Sequence, residues 1–115
     1  MCDTLPIGID IECYRPQLKR VAAKFLAPQE LEIYSASESL LLQAWTSKEA
    51  IFKSLGISGL TISEIILPNN PDTTKYISHC KEITLHRHIL NDSMITLAVA
   101  TQHVSVKPNY CDTQL

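Results

Sequence analysis

The chain lacks long apolar runs, a strong charge of either sign and an abundance of glycine. Its apolar runs extend over only a few residues, far short of the roughly 20 that a membrane-spanning helix needs. The formal net charge is -2 and 19% of the residues are charged, which excludes a highly charged disordered chain and argues against a nucleic-acid binder. Residues 1–6 contain no basic or apolar signal region, so we expect no secretory signal peptide.

Cysteine pairs with metal-ligand or redox spacing are also lacking. The four cysteines are Cys2, Cys13, Cys80 and Cys111, and no two of them form a C-x-x-C motif. We therefore expect free thiols in a reducing cytoplasm. The length of 115 residues and the hydrophobic content of 45% predict one domain over residues 1–115, with a peripheral tail after about residue 104.

The chain has only three glycines, and all of them lie in or beside two informative stretches. The first stretch is residues 7–12, where isoleucine alternates with other residues as in a strand. Gly8, Asp10 and Glu12 share one face, and the three isoleucines share the other. The alternation predicts a buried aliphatic face and a solvated acidic face.

A helical pattern follows the first strand. Apolar residues at three-four spacing predict a helix within residues 18–37, divided at Pro28, with a short second helix around residues 30–34. A third helix is expected from residue 37 or 39 to residue 55. Gly56 lies just past its end, where a left-handed cap residue is favoured.

The remainder of the chain has the pattern of β structure. Strands are expected at residues 60–67, at residues 75–90 with interruptions, and at residues 94–101. Turn clusters at residues 69–72 and 91–93 separate them. The sequence therefore predicts an α+β fold with an N-terminal strand, about three helices and then antiparallel strands.

Asp10 and Glu12 have two explanations. Two neighbouring carboxylates repel unless they share a cation or a proton, and Mg²⁺ prefers oxygen ligands. A solvated strand face accounts for the same pattern without any ligand. The strand alone leaves both explanations open.

The second stretch is residues 45–53, on the predicted third helix. Glu49 and Lys53 lie four residues apart in the favoured orientation for a surface ion pair, worth about 0.2–0.5 kcal/mol. Alternatively, Glu49 binds a metal and acts as a base while Lys53 contacts phosphate oxygens. Trp45 lies one turn earlier on the same side and is expected in a core or rim position.

Taken together, the two stretches resemble the signature of the 4'-phosphopantetheinyl transferases. Gly-Ile-Asp-Ile-Glu at residues 8–12 precedes Trp-Thr-Ser-Lys-Glu-Ala-x-x-Lys at residues 45–53. The resemblance covers about residues 7–101. It implies transfer of the phosphopantetheine arm of coenzyme A to a serine of a carrier protein, with release of 3',5'-ADP.

The resemblance also implies roles for individual residues. The family's Mg²⁺ ligands correspond to Asp10, Glu12 and Glu49, and the metal also holds the pyrophosphate of coenzyme A. Lys48 and Lys53 correspond to lysines that contact the coenzyme's phosphates. We expect Glu49 to act as the base for the serine hydroxyl, and Lys53 to act at the leaving phosphate.

Basic residues without acidic neighbours precede the second stretch. No Asp or Glu occurs between Cys13 and Gln29, where 4 of the 10 basic side chains lie. The cluster is either an ordinary solvated helix face or, as in the family it resembles, a docking site for an acidic carrier protein. Its members are Arg15, Lys19, Arg20 and Lys24.

The length of the chain resembles one branch of the family, and the residues of its second motif resemble another. The length is that of the short, trimeric acyl-carrier-protein synthases, whereas Trp45 ahead of the Lys-Glu-Ala motif resembles the second module of surfactin-type transferases. A single module offers half of a cleft, so we expect a cytoplasmic homo-oligomer, with a dimer slightly favoured over a trimer. The alternatives are a non-catalytic homologue that binds coenzyme A or a partner, and a small α+β interaction domain.

Overall fold

The computed structural model describes residues 7–91 and 93–102. In this part of the chain, three helices cover one side of a four-stranded antiparallel sheet, which confirms the predicted α+β class. No described helix is both long enough and apolar enough to cross a bilayer. Several expectations concern residues outside the described ranges: the absence of a signal region in residues 1–6, the free thiols of Cys2 and Cys111, the place of Asp92 in a turn, and the peripheral tail.

The sheet pairs the first described strand with the last described strand. Its strands are β1 (Ile7–Cys13), β2 (Lys75–Ser78), β3 (Lys81–Leu90) and β4 (Ser93–Gln102). Their order across the sheet is β1-β4-β3-β2, and every neighbouring pair is antiparallel. The strand of the acidic stretch, β1, is therefore an edge strand whose only described neighbour is β4.

The three helices lie where the apolar spacing predicts them. They are α1 (Pro16–Phe25), α2 (Pro28–Tyr34) and α3 (Glu38–Leu55). Proline occupies the first turn of both α1 and α2, where its missing N–H leaves no hydrogen bond unmade. The prediction that Pro28 divides the helical segment is therefore confirmed.

Both ends of α3 are capped as the sequence indicates. Ser37 Oγ accepts a hydrogen bond from the backbone N–H of Leu40 at 3.1 Å. Gly56 follows the helix with a φ of 59°, in the left-handed region that favours glycine. These caps fix where α3 begins and ends relative to the sheet.

The predicted strand at residues 60–67 is wrong. The structure has a 3₁₀ turn, Ile62–Glu64, followed by extended chain that joins no sheet. Ile65 and Leu67 bury their side chains in the core. The backbone N–H of Leu67 donates to Glu30 Oε2 at 2.7 Å, so a buried carboxylate takes the place of a neighbouring strand.

The strand predicted at residues 75–90 divides into β2 and β3. His79 and Cys80 have φ values of 52° and 63° and connect Ser78 to Lys81, its partner across the hairpin. A two-residue turn with both φ values positive matches the twist of the flanking strands. Cys80 is a free, exposed thiol, as is Cys13.

The two faces of β1 are the reverse of the prediction. Ile7, Ile9 and Ile11 are 39%, 52% and 60% exposed, whereas Gly8 and Asp10 are buried. The alternation itself is correct, but α3 packs on the glycine and carboxylate side of the strand. The aliphatic side faces away from all three helices.

Candidate active site

The site depends on a close approach between β1 and α3. A Cβ atom added to Gly8 would overlap the carbonyl oxygen of Ala50 and lie 2.7 Å from the backbone nitrogen of Ser54. Any larger residue would push the helix from the strand. Because the backbones touch here, side chains on this face of α3 reach the carboxylates of β1.

Asp10 is the most enclosed carboxylate of the site. Its Oδ1 accepts a hydrogen bond from Lys53 Nζ at 3.2 Å, and the same ammonium donates to the carbonyl oxygen of Ile9 at 3.1 Å. Its Oδ2 is buried and has no hydrogen-bond partner among the described residues. Burial raises the pKa of Asp10, Lys53 lowers it and the nearby Glu12 raises it. An unpaired buried carboxylate oxygen is costly, so this atom is a candidate ligand for a cation.

Glu49 faces the same cluster from α3. Burial raises the pKa of this carboxyl group, the Asp10 carboxylate raises it further, Lys53 lowers it and Glu12 also raises it. Three carboxylates are thus close enough to interact electrostatically. A carboxyl group with a raised pKa is a better proton acceptor than an ordinary glutamate.

Glu12 lies at the open side of the cluster and is partly exposed. Its Oε1 accepts a hydrogen bond from the guanidinium of Arg15 at 3.2 Å. Arg15 immediately precedes α1, so this ion pair joins the acidic cluster to the first helix.

The donor set fits a magnesium ion that is completed by a ligand. Within residues 7–91 and 93–102, no three His, Cys, Asp or Glu side chains are gathered tightly enough to hold a metal ion by themselves. Mg²⁺ is commonly bound through one or two carboxylates, with water and substrate phosphates supplying the remaining oxygens. The unpaired Asp10 Oδ2 and the neighbouring Glu49 and Glu12 carboxylates provide that partial set.

The structure places Lys48 apart from the acidic cluster. Its side chain is 0% exposed, and its ammonium donates to Glu30 Oε1 at 2.8 Å and to the carbonyl oxygen of Phe25 at 2.6 Å. These contacts hold the ammonium away from solvent. Lys53, at 48% exposure, remains beside the carboxylates.

Glu30 is the important residue that the sequence interpretation misses. Its two oxygens accept hydrogen bonds from Lys48 and from the backbone N–H groups of Ala27 and Leu67, which ties three separate segments together. Glu30 is the third residue of α2, and a glutamate at that position commonly caps the helix by accepting a hydrogen bond from the backbone N–H three residues earlier. Nothing local, however, indicates that the carboxylate is buried against a lysine 18 residues away.

Two further polar residues of the second stretch hold α3 on the sheet. Thr46 Oγ1 lies 2.9 Å from Thr96 Oγ1 of β4, and both side chains are fully buried. Arg87 Nε on β3 donates to Ser47 Oγ at 3.1 Å. The Trp-Thr-Ser-Lys part of the motif therefore contributes packing, whereas Glu49 and Lys53 face the carboxylates of β1.

Trp45 lies at the rim, as expected. Its ring packs edge-to-face on Phe25 with ring centroids 5.0 Å apart. It lines a cavity of about 300 Å³ between α1 and α3. The other residues lining this cavity are Arg15, Gln17, Leu18 and Val21.

The predicted basic cluster is exposed on and next to α1. The helix buries Leu18, Ala22 and Phe25, and its charged positions face solvent. The exposed cations are Arg15, Lys19, Arg20 and Lys24. Arg15 is shared between this cluster and Glu12 of the acidic site.

Comparison with models of protein families supports the resemblance described for the two sequence stretches. The model of the 4'-phosphopantetheinyl transferase superfamily matches residues 6–102, which is most of the chain. A search of curated proteins gives no match.

Proposed function

Since the chain belongs to the 4'-phosphopantetheinyl transferase superfamily, we propose that it transfers the phosphopantetheine arm of coenzyme A to a carrier-protein serine. The proposed activity is Mg²⁺-dependent and of the holo-acyl-carrier-protein synthase type. One observation carries the proposal: Asp10 of β1 and Glu49 and Lys53 of α3 converge where the two backbones touch. Membership of the family by itself supports phosphopantetheine transfer in general.

The proposed reaction exchanges one phosphorus–oxygen bond for another. The serine oxygen forms a bond to the phosphorus that carries the pantetheine arm, and the bond from that phosphorus to the ADP portion breaks. The serine proton passes to Glu49, directly or through water, and 3',5'-ADP leaves with the electron pair. The raised pKa of Glu49 makes it a stronger proton acceptor than an ordinary glutamate.

Charge on the breaking pyrophosphate requires cationic partners. Mg²⁺ held by Asp10, Glu12 and Glu49 would neutralise part of that charge. Lys53 is half exposed, and its hydrogen bonds to described residues go to Asp10 and to a backbone carbonyl, so its ammonium can turn to a phosphate oxygen. We assign it to the leaving phosphate and omit Lys48, which is buried on Glu30.

The proposed partner is an acidic carrier protein that docks on α1. Arg20 and Lys24 are exposed on this helix, and Arg15 links it to the acidic cluster. Carrier binding there would bring a serine toward the carboxylates. We further propose that the protein is a cytoplasmic homo-oligomer.

A non-catalytic homologue that binds coenzyme A or a partner is the second candidate. It needs only the unpaired Asp10 Oδ2 and the half-exposed Lys53 to hold Mg²⁺ and the phosphates of coenzyme A, with no base acting on a serine. This candidate predicts coenzyme A binding that depends on Mg²⁺, with no product formed on any carrier protein.

A loading assay distinguishes the two candidates. Coenzyme A and a panel of apo carrier proteins are incubated with the protein, with Mg²⁺ or with a chelator, and carrier masses are measured. We expect the mass of a phosphopantetheine group to be added only with Mg²⁺. Glu49→Gln should lower the turnover number by about 100- to 10,000-fold, far more than it weakens coenzyme A binding.

Glu32→Gln is the matched control because Glu32 is an exposed helical carboxylate on α2. It should transfer like the wild type. Full activity of Glu49→Gln would falsify the role of Glu49 as the base. Coenzyme A binding without transfer to any carrier would favour the non-catalytic candidate.

A further inference from the structure

Arg15 lies at a position where a helix does not favour an arginine. It is the N-cap residue of α1, and its side chain makes no capping hydrogen bond. Residues with a short side chain that accepts a hydrogen bond are preferred at this position, and a cation is unfavourable at the positive end of the helix dipole. The stability of α1 therefore does not explain the presence of Arg15.

The contact that Arg15 makes is with the acidic site. Its guanidinium donates to Glu12 Oε1 at 3.2 Å. Glu12 lies close enough to Asp10 and Glu49 for their charges to interact. Nevertheless, within residues 7–91 and 93–102 the three carboxylates are not gathered into a set that holds a metal ion. An arginine thus occupies one oxygen of the third candidate ligand.

The same guanidinium is accessible to a binding partner. The side chain of Arg15 is 57% exposed, and the exposed cations Lys19, Arg20 and Lys24 follow it on α1. An ion pair that is exposed to this degree is weak, because water screens both charges. A carboxylate of an acidic protein that docks on α1 can therefore replace Glu12 as the partner of Arg15.

We propose that Arg15 is a positioning residue that couples carrier docking to the metal site. In the absence of a carrier, the ion pair with Arg15 restrains Glu12 and weakens Mg²⁺ binding. A carboxylate of the carrier takes over the guanidinium, and the freed Glu12 joins Asp10 and Glu49 as an oxygen ligand for Mg²⁺. This coupling rests on the proposed function, which supplies both the carrier and the metal.

Such coupling acts in both directions. If the carrier raises the affinity for Mg²⁺ by some factor, Mg²⁺ raises the affinity for the carrier by the same factor. The exposure of the ion pair between Arg15 and Glu12 limits this factor to about two- to fivefold. The metal site would then be complete mainly when a carrier serine is present, which disfavours attack on coenzyme A by water.

Mg²⁺ affinity tests the coupling without any measurement of transfer. Isothermal titration calorimetry on the full chain, without coenzyme A, gives the Mg²⁺ dissociation constant with and without an apo carrier protein. A titration of the carrier alone is subtracted. We expect the carrier to lower the wild-type constant by about two- to fivefold. Arg15→Gln should have the lower constant already and respond little to the carrier, whereas Arg15→Lys, which keeps the charge, should retain part of the response.

Arg20→Gln is the matched control, because Arg20 is an exposed cation further along the same helix. It should weaken carrier binding but leave the Mg²⁺ constant measured without carrier unchanged. Circular dichroism of every variant checks that the fold is retained.

Four results would overturn the coupling. They are wild-type protein that binds no Mg²⁺, a carrier without effect on the wild-type constant, an equal effect on folded Arg15→Gln, and equal constants for Arg15→Gln and the wild type without carrier. Transfer in the loading assay without coupling would leave the proposed function intact. Coupling without transfer to any carrier would contradict the proposed reaction alone.

Discussion

Lys48 and Lys53 lie five residues apart on α3, yet their surroundings differ completely. Five residues turn an α-helix by well over one full turn, so the two side chains leave it in different directions. Lys48 enters the space between α1 and α2 and pairs with Glu30, whereas Lys53 reaches Asp10 near solvent. Desolvation lowers the pKa of Lys48, and its hydrogen bond and charge interaction with Glu30 raise it. Residue type and spacing do not distinguish a structural lysine from one available to a ligand.

Replacing Lys48 should therefore destabilise the fold. Lys48→Met leaves the Glu30 carboxylate buried without its cation, and we expect the free energy of unfolding to fall by about 3–5 kcal/mol. The double variant Glu30→Gln, Lys48→Met should recover part of this loss. Urea unfolding of the two single variants and the double variant gives the coupling energy.

Lys53→Met is the control for that measurement. Its ammonium is half exposed although Asp10 is buried, so its removal should cost less than that of Lys48, about 1–3 kcal/mol, while reducing transfer. If Lys48→Met were as stable as the wild type but bound coenzyme A weakly, the original assignment of Lys48 to the coenzyme would be restored.

The carboxylates of the site predict a pH dependence of stability. The pKa values of Asp10 and Glu49 are raised in the folded chain above 3.8 and 4.5, so the folded state retains protons that the unfolded state has lost. Between the ordinary pKa and the raised pKa of each group, the free energy of unfolding therefore falls as pH rises. In chelator, urea unfolding between about pH 4 and pH 7 should show Glu49→Gln becoming more stable relative to wild type as pH rises. Parallel curves for Glu49→Gln and the control Glu32→Gln would contradict this.

At the scale of elements, the contact between β1 and α3 determines the site. Gly8 has no role in chemistry, but its missing side chain allows Ala50 and Ser54 to lie against the strand. A glycine inside a strand often marks a place where another part of the backbone approaches closely. The structure identifies α3 as the element that approaches.

Gly8→Ala should disrupt this contact. The added methyl group meets backbone atoms that cannot turn aside, so we expect a loss of about 1–3 kcal/mol in unfolding free energy and a marked loss of transfer. Gly56→Ala is the matched control because its cost, about 1–2 kcal/mol, comes only from a strained φ with no clash. The two variants should differ in activity, because folded Gly56→Ala should still transfer and Gly8→Ala should not. Equal transfer by the two variants would argue against the contact.

Element prediction succeeded where the pattern is local and failed where it is not. The proline at the start of α2 and the glycine after α3 act on their own backbone, so the helix boundaries were predicted. Residues 60–67 have the apolar content of a strand, but their backbone is satisfied by Glu30 and by turn hydrogen bonds. The partner of a segment depends on residues distant in sequence, which no local pattern contains.

On the scale of the whole molecule, charge is unevenly distributed. The formal net charge is -2, but α1 is positive on its exposed side while the carboxylates gather at the junction of β1 and α3. Such a separation of charge can orient an acidic carrier protein so that its serine approaches the acidic cluster.

Carrier loading should therefore depend on salt. We expect the loading rate to fall as ionic strength rises and Arg20→Glu to lower it several-fold at low salt. Lys75→Glu, a charge reversal at an exposed lysine of β2, is the control and should have a small effect. A loading rate indifferent both to salt and to Arg20→Glu would reject α1 as the docking site.

The sequence by itself determined the N-terminal strand, the three helices and the antiparallel strands after residue 75, and it identified the candidate residues of the acidic site. These follow from short-range rules: side-chain alternation, helical spacing, caps, and a motif that requires its carboxylates and Lys53 in fixed positions. Only the tertiary structure decided which face of β1 is covered and which lysine is buried. Burial depends on the segment that packs against each side chain, and for both β1 and Lys48 that segment lies far away in the sequence.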